Sequence, residues 1–183
     1  MPPVIHTVGH SDRSLERFTA ILTAHGITFV ADVRRWPVSR RHPHFDRDAL
    51  RAALADAGIE YVFEGKALGG RREPSPDSDT LHGALPPDYR GYAAHMATPA
   101  FRAACDRLVA LAERERVALL CAERDPVHCH RSLIADHLVL QGREVIHLLD
   151  EARTQAHRPH PGARLSGNVV VYDRGTQTTL EGF

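Results

Sequence analysis

The run Val117-Ala118-Leu119-Leu120-Cys121-Ala122-Glu123-Arg124-Asp125-Pro126-Val127-His128-Cys129-His130-Arg131 falls into two parts. Val117–Cys121 is apolar throughout, the pattern of a short strand buried on both faces. A polar loop follows. At Arg131 a helical segment begins, which reaches Gln141 and is ended by Gly142, and Glu144–Leu149 is a further apolar run. Strand, loop, helix and strand make a βαβ unit, which pairs its strands in parallel.

The same alternation continues outward from this stretch. Upstream, Asp88–Met96 and Pro99–Arg114 read as helices, the second with Phe101, Ala104, Leu108 and Leu111 as a buried stripe. Before them lies a long loop, Glu64–Pro87, rich in proline and glycine; loops of this length in compact domains are usually functional or disordered. Earlier still come strand Ile59–Phe63, helix Asp46–Ala57, strand Thr28–Val33, a helix from Ser14 to about His25, and strand Val4–Val8. Downstream, 151–167 reads as irregular and Asn168–Tyr172 as a possible edge strand. The expectation is an α/β fold: one domain over 1–183, a three-layer sandwich with a mostly parallel sheet of about five strands and helices on both faces. Its core spans about 4–150, with an extension at 151–183.

Composition agrees with one globular domain. The 183 residues are 43% hydrophobic and 25% charged, with 23 basic against 23 acidic side chains. A formal charge of zero gives no global attraction to nucleic acid or an anionic membrane. The three cysteines, an odd number, argue against a disulfide framework and for a reducing compartment. Met1–His6 lacks the basic flank and apolar core of a signal peptide, and no apolar run is long enough to span a bilayer. The expected location is cytoplasmic, with no membrane partner.

In parallel sheets, ligands bind beyond the carboxyl ends of the strands. Those ends carry Gly9-His10-Ser11, then Asp32, Arg34 and Ser39-Arg40, then Gly69-Gly70-Arg71, and finally Cys121 to Arg131. The expected site gathers them. His10 and Glu123 are acid/base candidates. Cys129, at a helix start where the dipole favours thiolate, is the candidate nucleophile. Ser11, Arg34, Ser39, Arg40, Gly69, Gly70, Arg71 and Arg131 are candidate substrate-binding residues, the arginines because their forks suit planar and tetrahedral anions. The partner in this reading is a small anionic ligand or nucleotide, with no cofactor. His10, Arg34, Glu123 and Cys129 should then line one pocket, with Glu123 at least partly buried.

Two alternatives stand beside it. Cys121, Glu123, Cys129 and His130 could ligate a transition metal such as zinc or iron, although their spacing matches no standard zinc motif. The Arg34–Arg51 stretch, with six arginines and with Trp36 and Phe45 interleaved, could contact nucleic acid through phosphates and stacked bases.

The motifs also form a known set. Gly9-His10-Ser11, Asp32-Val33-Arg34 with Pro37, Ser39 and Phe45, Leu68-Gly69-Gly70, Arg90-Gly91-Tyr92-Ala93 with Met96, Cys121-Ala122-Glu123 and Cys129-His130-Arg131 together resemble the bacterial and archaeal DUF488 family over about residues 5–150. One position departs from it: His95 stands where many relatives carry Tyr. The resemblance implies a fold and a site and carries no reaction. Strand, loop, cysteine, arginine and helix also follow the architecture of rhodanese-like and cysteine-phosphatase anion loops, with Cys121 and Arg131 set farther apart than in those loops.

Overall fold

The computed structural model describes residues 3–173. Five parallel strands and one antiparallel strand form the main sheet, in the order β3-β2-β4-β1-β5-β6. They are β1 (Val4–Gly9), β2 (Phe29–Asp32), β3 (Glu60–Phe63), β4 (Val117–Cys121), β5 (Glu144–Leu148) and β6 (Thr154–Ala156). β4 is buried along its whole length between β1 and β2, which accounts for its unbroken apolar sequence.

The helices are α1 (Leu15–Ala24), α2 (Arg47–Asp56), α3 (Gly65–Leu68), α4 (Ser78–Leu81), α5 (Pro87–His95), α6 (Pro99–Ala112) and α7 (Arg131–Leu140). Side chains of Ser and Thr cap two of these helices, the first as the sequence led one to expect. Ser14 accepts from the Arg17 N–H at the start of α1, and Thr98 from the Phe101 N–H at the start of α6. α1 and α2 cover one face of the sheet, where Phe18, Ile21, Leu50 and Leu54 pack with Val8, Val30 and Leu120. α5, α6 and α7 cover the other, where Tyr92, Phe101, Leu108 and Ile134 pack with Ile5, Ala31 and Leu119.

Strand order dictates this division. From β1 the chain moves one way across the sheet to β2 and β3, and from β3 it returns the other way to β4 and β5. Parallel crossovers are right-handed, so connections running in opposite directions must lie on opposite faces. The loop leaving β4 therefore goes to one face, while those leaving its neighbours β1 and β2 go to the other. The crevice opens where the connections part, at Cys121.

Three details differ from the sequence expectation. The long 64–87 loop holds two single-turn helices, α3 and α4. The edge strand of the main sheet is β6, whose Thr154-Gln155-Ala156 is exposed throughout and so shows no hydrophobic alternation. The expected edge strand at 168–172 exists as β8 (Val169–Tyr172), but it pairs with β7 (Ala163–Ser166) in a separate hairpin. That hairpin turns at Gly167, whose φ is +62°, and seats Val170 and Tyr172 in the core. The end of the expected 151–183 extension, beyond residue 173, lies outside the described residues. No helix among those described is long and apolar enough to cross a membrane.

Candidate functional site

Two backbone bonds set the floor. Past β1 the chain stays against β4, with the His10 N–H donating to Cys121 O (3.0 Å) and the Ser11 N–H to Ala122 O (2.8 Å). The loop leaving β4 then folds over Gly9 so closely that a Cβ there would lie 1.7 Å from Glu123 O. Arg131, in the first turn of α7, holds that loop from inside. Its Nη2 donates to Glu123 O (2.6 Å) and Arg124 O (3.0 Å), and its Nη1 to Thr7 Oγ1 (3.4 Å). With 1% of its surface exposed, Arg131 organises the loop from the interior and does not line the crevice.

Drawing the Glu123 carbonyl inward turns its side chain outward. Glu123 is exposed, against the expectation of a buried and hydrogen-bonded carboxylate. It stands apart from the Cys121, Cys129 and His130 cluster as well.

Those three residues form the centre. Cys129 Sγ lies 2.8 Å from Cys121 Sγ, and His130 Nδ1 lies 3.8 Å and 3.7 Å from the two sulfurs. His130 Nε2 is 2.9 Å from Val33 O. A carbonyl only accepts, so Nε2 carries a proton there and Nδ1 faces the sulfurs. Gly70 makes room for the ring, since a Cβ there would lie 2.9 Å from His130 Nδ1. Two sulfurs in contact cannot both ionise, so one proton is held between them. The hydrogen bond from Cys129, opposed by burial and aided by His130 and Arg131, carries the Cys121 thiol well below its ordinary range. Burial, and then donation to Cys121, pushes Cys129 well above it. Helix-start reasoning favoured Cys129 as the thiolate. Sulfur-to-sulfur contact reverses that order.

A second cluster holds the adjoining wall. Asp32, fully buried, accepts from Arg34 Nε (2.9 Å), Arg34 Nη2 (2.6 Å), the Arg34 N–H (3.0 Å) and Tyr61 Oη (2.7 Å). Arg34 Nη1 donates to Phe45 O (2.8 Å) and to His10 Nε2 (3.3 Å). His10 stacks on Phe45 at 4.3 Å and donates from Nδ1 to Ser11 O (2.9 Å). Burial lowers the His10 pKa to about 4, so its ring is neutral and its Nε2 lone pair is already engaged.

The crevice above has a volume of about 220 Å³. Of the expected residues, His10, Arg34, Ser39, Gly70, Arg71, Cys121 and His130 line it, and Cys129 lies beneath Cys121. Ser11 directs its hydroxyl to Asp12 (3.1 Å), Arg40 is exposed away from the lining, and Gly69 packs on the Arg35 backbone. Among the six arginines of 34–51, Arg34 and Arg35 reach the crevice; Arg47 pairs with Asp48 and lies over Phe63. Sequence reasoning did not assign Arg35, Trp36 and Val38, which line the mouth, or Asp32 and Tyr61, which hold Arg34. Asp32 and Arg34, at i and i+2 across the end of a strand, were a readable signal. The Val33 carbonyl that holds the His130 ring has no side-chain signature at all.

Sheet order, diverging connections and a sulfur pair under an arginine-lined mouth define a doubly wound α/β domain with a thiol crevice at its switch point. The family model described as "Domain of unknown function DUF488" matches residues 14–138, and the chain belongs to that family. No curated protein and no solved structure matches it.

Proposed function

We propose that this protein is a thiol-dependent enzyme acting on a small phosphorylated or otherwise anionic substrate, with Cys121 as its reactive sulfur. The observation that carries this reading is the position of Cys121: it lines the crevice while touching the Cys129 thiol and facing His130 Nδ1. Three arginines and no carboxylate share that lining. Cys129 supports the thiolate by donation, and His130 Nδ1 accepts or returns a proton at the sulfur. Arg35 and Arg71 meet the anion, with Trp36 as an apolar wall. His10 and Arg34 position the floor.

The test is alkylation by neutral iodoacetamide between pH 6 and 9, followed by peptide mass spectrometry. Cys121 is expected to react at least about ten-fold faster than Cys105, whose thiol burial pushes far up, and inorganic phosphate or pyrophosphate should slow it. Equal rates at Cys105 and Cys121, or no protection by either anion, would sink the proposal.

A metal reading has one observation of its own. The donor atoms of Cys121, Cys129 and His130 lie within 4.8 Å of one another, and His130 gives its other nitrogen to a carbonyl, as metal-bound histidines do. Tetrahedral zinc would hold the sulfurs about 3.8 Å apart and each sulfur about 3.6 Å from the nitrogen. The sulfur–nitrogen spacings suit zinc or iron; the 2.8 Å sulfur contact is shorter than two thiolates on one metal would keep. Metal analysis of protein purified without an affinity tag separates the two.

A further inference from the structure

A well-walled cavity lies away from the thiol crevice, at the β5–β6 side of the sheet. It has a volume of about 730 Å³, within the range of small-molecule sites. One wall is the turn Pro126–His128 with Ser132 and Leu133 of α7; another is Leu85, Pro86 and Tyr89; the third is the segment His157-Arg158-Pro159-His160-Pro161. Four prolines line it. A proline presents a rigid apolar ring and has no N–H, so such walls can face an apolar guest without leaving a donor unpaired.

The third wall is actively held in place. Asp136 on α7 is buried and accepts from Tyr172 Oη (2.9 Å), His157 Nε2 (2.7 Å) and the His160 N–H (3.1 Å). Behind His157, its Nδ1 meets His147 Nε2 (2.9 Å), and His147 Nδ1 meets Thr7 Oγ1 (2.7 Å). Because the Asp136 carboxylate is enclosed by three donors, its charge is not offered to a guest. Arg158, by contrast, stands exposed at the rim and has no acidic partner among the described residues. Val127, also at the rim, is 69% exposed.

From this wall chemistry we infer that the cavity binds a small aromatic or alicyclic carboxylic acid, its ring against the prolines and Tyr89 and its carboxylate on Arg158. Apolar body and single anion match the apolar walls and the exposed Arg158 guanidinium at the rim. The occupant is distinct from the substrate of the thiol crevice, and the inference does not depend on that chemistry.

Titration of the full chain with 1-naphthoate, followed by isothermal calorimetry, tests it, with neutral 1-naphthalenemethanol as the uncharged comparison. Saturable binding at one site per chain is expected, with Kd about 1 mM or tighter for a ligand of this size. Arg158→Glu should weaken naphthoate at least about five-fold while changing the neutral alcohol less than about two-fold. Val127→Glu, also at an exposed position and so compatible with folding, should weaken naphthoate as well. Absence of saturable binding, equal loss of both probes in Arg158→Glu, or naphthoate affinity unchanged in both variants would overturn the inference. So would a stoichiometry of one ligand per two chains, which would make the cavity an interface between copies.

Discussion

Asp32→Ala removes a carboxylate with no solvent exposure and strands the guanidinium it neutralises, Arg34, which is 5% exposed. The variant loses the acceptor for Arg34 Nε, Nη2 and backbone N–H and for Tyr61 Oη. Breaking a buried pair by deleting one partner costs about 3–5 kcal/mol, because the remaining charge stays in a low-dielectric surrounding. Against a whole-domain stability of about 5–15 kcal/mol this is large. For a chain of this length it corresponds to a fall in Tm of roughly 6–20 °C. Arg34→Leu strands the carboxylate instead and should cost a similar amount. The Asp32→Ala/Arg34→Leu double variant leaves neither charge, so its loss should be smaller than the sum of the single losses by about 2 kcal/mol or more. Urea unfolding of the four proteins at pH 7.5 reads the cycle. Strict additivity, or an Asp32→Ala loss below about 1 kcal/mol, would refute the claim that this pair holds the crevice wall.

Acid should destabilise the fold before any carboxylate titrates. Burial lowers the His10 pKa to about 4 and that of His147 to about 3, so the unfolded chain takes up protons from pH 6.5 downward that the native rings refuse. Stability is therefore complete above about pH 6.5 and falls with pH, by about 2 kcal/mol per histidine at pH 5; His10→Gln should flatten the profile obtained by urea unfolding, and an unchanged profile would contradict the buried neutral ring. Gly70→Ala places a Cβ 2.9 Å from His130 Nδ1 and should slow Cys121 alkylation several-fold while moving Tm little; full retention of reactivity would show that the ring orientation is immaterial.

Much of the fold was legible because its signals are local and repeated. β4 announces itself as an apolar run, α1 by its Ser14 cap, α6 by its buried stripe, and the parallel sheet by the alternation of strands with helices. β6 escaped because a short exposed edge strand carries no burial pattern. The hairpin of β7 and β8 was half visible: Val169–Tyr172 is apolar enough to read as a strand, but its partner Ala163–Ser166 is not. The site was legible as a place. His10, Arg34, Cys121 and His130 meet there because the carboxyl ends of parallel strands share an edge. Roles were harder to read, since they depend on where each side chain turns. Arg131 looked like an anion ligand and is held by backbone carbonyls; Glu123 looked like a buried acid and faces water for the same reason. Cys121 and Cys129 looked like a strand residue and a helix-start thiolate. Which sulfur keeps the proton is set by the groups folding brings around each, burial above all at Cys129, and His130 and Arg131 beside Cys121.

The parting of connections at β4 also bears on how such a protein could change its substrate. The sulfur pair rests on β1, β4 and the start of α7, whereas the mouth is made by the 34–39 stretch and the turn at Gly70-Arg71. These segments leave different strands and cross to different faces, so a residue inserted in one rim lengthens that rim alone. Selectivity and reactivity thus sit on separate pieces of chain, and grafting a new rim onto the same sulfurs is the natural route to a new specificity.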